Sequence, residues 1–345
     1  LLLEKLHFQG SRSFLDEDFA AAWRHCDRLG MEVTADIDGE VLLQLGCTQD
    51  CLAPIRALGI RGLRVDSGLD PEALARIPRN QDGIFIQLNA SDLVMPGHPE
   101  AGSIAPILEA VARRGDLSQV TACFNFYPRA WTGLAADDLR PTLDLCHRYD
   151  VEVSAFVASQ DGVSPLHGGS CGVCTVEDHR MRPPEYAMAE LFALGVDAVL
   201  VGDVRATTRE LAAMARLAKA DAIPLPVVYE SWVPRRLREV LAGYRLLSRR
   251  DQPAALIRAA ETRSIPAEPF ACGPRPVGAL TMENRRSLQY MGEVQIPLIP
   301  LGPDPAVNVL GMIHPSAWNL LQALKYAGAP FRLVDYGAQA DERSH

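Results

Sequence analysis

Apolar residues in the first two thirds of the chain fall into seven short runs, at 2–8, 31–38, 62–67, 83–90, 119–127, 151–158 and 196–202. None alternates strictly between apolar and polar, which is how strands buried on both faces of a parallel sheet read. The segments between them carry helical spacing. Leu15, Phe19, Trp23, Cys26 and Leu29 share one helix face, with Ser13 and Asp16 at its start and Gly30 as its stop. Asp70-Pro71-Glu72 opens a second helix. Further helices are predicted over 39–58, 103–114, 136–149 and near 184–194. Thr207 and Glu210 form a capping box for a last one at 208–219. Repeated βα units specify an α/β fold. A (β/α)8 barrel needs eight strands, so the count is short by one βα unit. A doubly wound sheet is the alternative, weakened because no Gly-rich phosphate loop follows the first strand. After about residue 222 the pattern changes to short β runs broken by Gly and Pro, with one helix at 315–327. The predicted organisation is a barrel over 1–222 and a small β-rich domain over 223–345.

Composition narrows the class. With 48% hydrophobic and 22% charged residues, the chain is neither disordered, coiled coil nor collagen-like. No stretch has the roughly 18 uncharged apolar residues of a membrane span, and the opening LLLEKLHFQGSRS lacks the apolar core of a signal peptide. A net charge of −9 argues against nucleic acid or an anionic membrane as partner. Eight cysteines are no disulfide framework and fit a reducing cytoplasm. Cys47/Cys51 and Cys171/Cys174 are the closest pairs, and the second is a CxxC without a matching pair at zinc spacing. They are expected to be small packed thiols, since a metal role would need His167 or His179. No metal or cofactor is predicted.

Polar residues gather where the strand runs end: Asp36 and Asp38, Asp66, Gln87 with Asn89 and Ser91, Asn125 and Tyr127, Ser159 and Asp161, and Asp203. In a barrel these ends form the catalytic face. Buried amides and carboxylates there must bond to each other or to a ligand, and Asn, which donates and accepts, suits a polyhydroxylated one. A pair of carboxylates suits glycoside hydrolysis. The candidates are Asp36, Asp66, Glu177 and Asp203. The block TVEDHRMRPP (175–184) reads equally as a functional loop and as a capped helix start. Arg180 and the basic group at 235–250 are phosphate candidates, though a basic run also reads as a solvated face.

The motifs LRVDSG, IQLNAS, CFNFYPRAWTGL, SAFVAS, CTVEDHR and VLVGD, in this order, together with MENRRSLQYMGEVQIPL, resemble the bacterial 6-phospho-N-acetylmuramidase family, formerly a domain of unknown function. The resemblance implies a TIM barrel followed by a cyclophilin-like β-barrel domain. It implies cytoplasmic hydrolysis of 6-phosphorylated MurNAc-GlcNAc in peptidoglycan recycling, with a small phosphorylated amino sugar as the partner. The family has a further βα unit, near a pattern G-I-S-x-Y, before the first run found here. That supplies the eighth strand and makes LLLEKLHFQG a natural second strand rather than a tag remnant. Carried over as site residues are Asp66 and, more weakly, Glu177 as catalytic carboxylates. Asn89, Asn125, Tyr127, His179 and Arg180 are carried over as substrate-binding, with Arg180 on the phosphate. The strand ends add Asp36, Gln87 and Asp203, and Glu283, Asn284 and Tyr290 are expected to reach the mouth from the second domain. Two positions depart from the family pattern: Gln87 stands where I-E-L-N has Glu, and Phe124 where H-N-F-Y-P has His. Gln is no general acid or base and Phe no hydrogen-bond donor. A non-catalytic or retuned sugar-phosphate binder is therefore the second reading. A metal-dependent barrel enzyme using Asp66, Glu177 and His179 is the third, without an HxH-type ligand cluster to support it.

Overall fold

The computed structural model describes residues 5–9, 17–36, 39–48, 51–64, 76–91, 104–162, 172–249, 251, 254–327 and 329–337. Asp38, Asp66, His167, Cys171 and the helix predicted to open at Asp70 lie outside the described residues. The chain divides into two compact units, Leu1–Met181 with Gly195–Thr207, and Arg182–Leu194 with Thr208–His345.

The first unit is built on seven strands: β1 (Lys5–Gln9), β2 (Glu32–Asp36), β3 (Gly62–Arg64), β4 (Phe85–Asn89), β5 (Val120–Cys123), β6 (Glu152–Val157) and β7 (Ala198–Val201). Each corresponds to one predicted run. They form one sheet in chain order, every neighbouring pair parallel. Between them run α1 (Glu17–Arg28), α2 (Gly39–Gln44), α3 (Ala53–Ala57), α4 (Ile104–Arg114) and α5 (Arg140–His147). The strands do alternate. Val33, Ala35, Leu63, Ile86, Leu88, Ala122, Val153, Ala155 and Val157 are buried on one face. The residues between them, Thr34, Arg64, Gln87, Thr121 and Ser154, are polar. Thr34 of β2 and Ala198 of β7 line the same cavity, about 10 Å³, with Gln87, Thr121 and Ser154. Strands so far apart in the order can share so small a space only if the sheet curls around its polar face. Gly62 permits this packing, because a Cβ there would collide with the Phe85 ring and stand 2.7 Å from Thr34 Oγ1. Among the described residues no pairing joins β1 to β7, and the seven parallel strands, expected as a TIM-type barrel short of its first βα unit, form a curled sheet.

The second unit opens with α6 (Pro184–Leu194) and α7 (Thr208–Ala218), followed by β8 (Ile223–Tyr229), α8 (Arg235–Ala242), β9 (Leu246–Leu247), β10 (Leu256–Ala259), β11 (Ala279–Glu283), β12 (Val294–Pro297), β13 (Val307–Ile313), α9 (Asn319–Ala327) and β14 (Pro330–Asp335). Its sheet runs β10-β12-β11-β13-β8-β14-β9, antiparallel except for β8 beside β14. Leu225, Leu280, Met282, Ile296, Leu310 and Phe331 form the core, with Tyr186 and Ala189 of α6. Fully burying such side chains contributes about 1.5–3 kcal/mol each. Among the described residues no helix is long and apolar enough to cross a membrane.

Candidate functional site

Three neighbouring strands of the first unit end in one hydrogen-bonded cluster. Arg64 closes β3 and is only 2% exposed. Its Nη1 donates to Cys123 O at 3.2 Å and its Nη2 to Asn125 Oδ1. Asn125 N donates to Ser91 Oγ at 2.7 Å, and Ser91 N donates to Asn89 Oδ1 at 3.0 Å. Asp36, the last residue of β2, is the register partner of Arg64. The cluster contains Asn89 and Asn125, as the strand ends predicted, and adds Arg64, with Asp36 of β2 and Gln87 of β4 in register on either side of it. Its signal was a charged residue inside the otherwise apolar run GLRV.

Two loops close over these strand ends. Tyr127 N donates to Cys174 O, Leu134 N to Thr175 O, and Glu177 N to Leu134 O, each at 2.9 Å. Thr175 Oγ1 donates to Asn125 O and accepts from Phe156 N, both at 2.9 Å. Glu177 is the knot. Its carboxylate accepts from Trp131 N and Gly133 N at 2.8 Å, and from Arg180 Nε at 2.7 Å and Nη2 at 2.6 Å. The Arg180 hydrogen bond above all, helped by the two main-chain amides and opposed by burial, holds the Glu177 carboxyl down at about 2. Gly133 is required by this approach, since a Cβ there would lie 2.8 Å from Glu177 N and Oε2. The ring of Trp131 is 89% exposed, on a backbone at φ 67°. A bulky side chain in the left-handed region is strained, so the anchor holds the backbone there and the indole stands outward.

Several predicted site residues are closed off by the protein. Arg180, expected on a phosphate, is 4% exposed and also donates Nη1 to Tyr127 O and Gly172 O. Glu177, expected as a second catalytic carboxylate, is ionised with four donors on it. Asp203 is buried, with Oδ2 accepting from Ser159 N and Val173 N. His179 is fully buried in a 3-10 turn, Glu177–His179, where a capped helix start was one reading. Tyr127 lies in the loop and engages Cys174 and Arg180 through its main chain. Gln87 is not at a strand end: it sits in register with Arg64 and Thr121, one inward position below Asn89. Phe124 is fully buried.

In the second unit, Asn284 is fully buried and donates Nδ2 to Pro305 O at 3.0 Å and Asn308 Oδ1 at 3.1 Å. Its Oδ1 caps the 3-10 turn by accepting from Arg286 N. Glu283 accepts from Ser287 Oγ and from Gln295 Nε2 at 2.9 Å, and burial pushes its carboxyl above the usual range. Gln295 also bonds Glu293, which is fully buried between Arg258 and Arg263. Tyr290 stacks on both guanidinium groups. Each of these residues is bonded or stacked within its own unit. In the basic group at 235–250, Arg235 pairs with Glu239, Arg238 with Asp335, and Arg249 with Asp251. Cys174 is buried, its thiol pushed up to about 12 by that burial. Among the described residues no three His, Cys, Asp or Glu side chains gather as metal ligands.

Residues 4–216 match the family model described as 6-phospho-N-acetylmuramidase, N-terminal, and residues 223–334 the one described as 6-phospho-N-acetylmuramidase, C-terminal. No curated protein matches the chain. Among solved structures, an uncharacterized B. cereus protein is similar over 96% of this chain and 91% of its own, at 24% identity and a TM-score of 0.80. A conserved protein of unknown function from a locus in Enterococcus faecalis is similar over 98% of this chain and 90% of its own, at 27% identity and a TM-score of 0.70. Those two likenesses concern the fold. The family models account for both halves in order, and the chain belongs to the 6-phospho-N-acetylmuramidase family.

Proposed function

We propose that the protein is a glycosidase that hydrolyses the 6-phosphorylated N-acetylmuramyl–N-acetylglucosamine disaccharide in the cytoplasm, during peptidoglycan recycling. In this reading the curled sheet is the greater part of a TIM-type barrel and the second unit is the cyclophilin-like domain. The observation that carries it is the convergence of Asp36, Arg64, Asn89 and Asn125 on adjacent strand ends of a family member. Seven cysteines outside any disulfide among the described residues support a reducing compartment.

Asp66 follows Arg64 by two residues in the chain and is the catalytic carboxylate in this account. Asp36, beside Arg64, is the second. One carboxylic acid protonates the departing glycosidic oxygen, and the other carboxylate attacks the anomeric carbon or activates the water that does. Glu177 is an anchor, because a carboxyl held at about 2 has no proton to give near neutrality. Trp131 offers its exposed indole as a platform for a sugar ring. The binder reading rests on Gln87 and Phe124. Phe124 is fully buried, whereas Gln87 stands in register beside Arg64 with a buried Oε1 that no described group bonds, so that reading comes to rest on Gln87.

The test is release of N-acetylglucosamine from the 6-phosphorylated disaccharide by the full chain. Asp66→Asn is expected to lower kcat by about 10²–10⁴-fold with the protein still folded. A wild type that releases nothing, or an Asp66→Asn protein that cleaves normally, overturns the proposal.

A further inference from the structure

Asn89 and Asn125 have their side-chain oxygens occupied by the protein. Ser91 N holds Asn89 Oδ1 and Arg64 Nη2 holds Asn125 Oδ1. A main-chain N–H and a guanidinium donate and never accept. In both residues, then, the oxygen must be the atom bonded to the protein and the NH2 the group left over, whichever way an amide is drawn. Both side chains are partly exposed, and neither NH2 has a hydrogen-bond partner among the described residues. Asn125 is fixed further through its main chain, N–H on Ser91 Oγ and O under Thr175 Oγ1. Ser91 couples the two, on the ends of adjacent strands β4 and β5.

Arg64 adds charge to this arrangement. Its buried guanidinium pulls on Asn125 Oδ1, and that polarisation strengthens the N–H donors on the other side of the amide. We infer that Asn89 and Asn125 form a donor-only pair that binds an oxyanion of the substrate, with Arg64 as the positioning residue behind Asn125. The ligand class is a sugar bearing a phosphate or a carboxylate. A chain of net charge −9 gains a site for an anion in this way from oriented amides instead of a surface cation. The identity of the ligand rests on the proposed function; the donor-only geometry does not.

Asn125→Asp is the discriminating variant. One carboxylate oxygen still accepts from Arg64, while the group left over changes from two donors to an anionic acceptor. Asn89→Asp repeats the change on β4. Calorimetric titration would use three probes: N-acetylglucosamine 6-phosphate, N-acetylmuramic acid, which carries only a carboxylate, and N-acetylglucosamine. Wild type is expected to bind one anionic probe at least about tenfold more tightly than N-acetylglucosamine, and which one identifies the oxyanion. Asn125→Asp and Asn89→Asp should each weaken that probe by about 10–100-fold and leave N-acetylglucosamine within about threefold. Arg64→Met should weaken it too and Arg64→Lys restore part of it. A merely structural Arg64–Asn125 contact predicts unchanged anion affinity in Asn125→Asp with thermal stability at or above wild type. That result overturns the inference, as does a wild type that does not distinguish anionic probes from N-acetylglucosamine. Hydrolysis is not read here, so a failure of the proposed reaction leaves the result standing.

Discussion

The polar cluster on the strand ends of the first unit and the polar network around Glu293 in the second are made of the same materials. Each lies near a carboxylate held by arginine, Glu177 by Arg180 in the first and Glu293 by Arg258 and Arg263 in the second, and each has asparagines beside it. They differ in what is left over. Asn284 donates to Pro305 O and Asn308 Oδ1 and accepts from Arg286 N, and Asn308 donates to Glu268 O. Asn89 and Asn125 give their oxygens to the protein and, among the described residues, keep their donors unused. A binding site is marked by unused hydrogen-bonding capacity on a rigid support, and residue type alone does not separate it from framework.

The comparison breaks first if the anchors prove dispensable. Glu293→Gln leaves two guanidinium groups beside a neutral amide and should cost about 3–5 kcal/mol in urea denaturation, with Glu177→Gln close behind. A Glu177→Gln protein of full stability but without hydrolysis would make Glu177 catalytic. Glu177 also sets a pH window. Its folded-state value of about 2 lies below the ordinary 4.5, so its stabilisation is fully present above about 4.5 and is lost as pH falls towards 2. After allowance for partial exposure this is on the order of 2 kcal/mol, and the difference between wild type and Glu177→Gln should shrink across that window. Trp131→Gly relieves the left-handed backbone and should raise stability by about 1 kcal/mol while weakening sugar binding about tenfold, read by titration. The smallest effect belongs to Gln87→Glu, in register beside Arg64, where the guanidinium keeps an added carboxylate ionised and kcat should stay within about threefold. A large gain there would restore the degraded-site reading.

The seven strands were legible because their helix-facing residues are continuously apolar: Val33 and Ala35, Ile86 and Leu88, Val153 and Ala155. Their ends were less so. The run 119–127 stops as a strand at Cys123, because Asn125 N turns to Ser91 Oγ and Tyr127 N to Cys174 O. Position at a strand end marks Asn89 and Asn125 in the sequence, but the donors on their oxygens, Ser91 N and Arg64 Nη2, come from the fold. The anchoring of Glu177 is not legible in the sequence, because its partners Trp131 and Gly133 are more than forty residues away in the chain and spacing within CTVEDHR shows only Arg180. Arg64 went unmarked because attention within LRVDSG falls on Asp66, although an arginine on the polar face of a buried strand needs an acceptor and had one in Asn125.

The most direct test of the contrast between the two regions is to watch the asparagine amides themselves. With 15N-labelled asparagine, titration with N-acetylglucosamine 6-phosphate and N-acetylmuramic acid should shift the side-chain NH2 signals of Asn89 and Asn125 saturably and leave those of Asn284 and Asn308 in place. Shifts confined to Asn284 and Asn308, or none at Asn89 and Asn125 while ligand binds, would contradict the account.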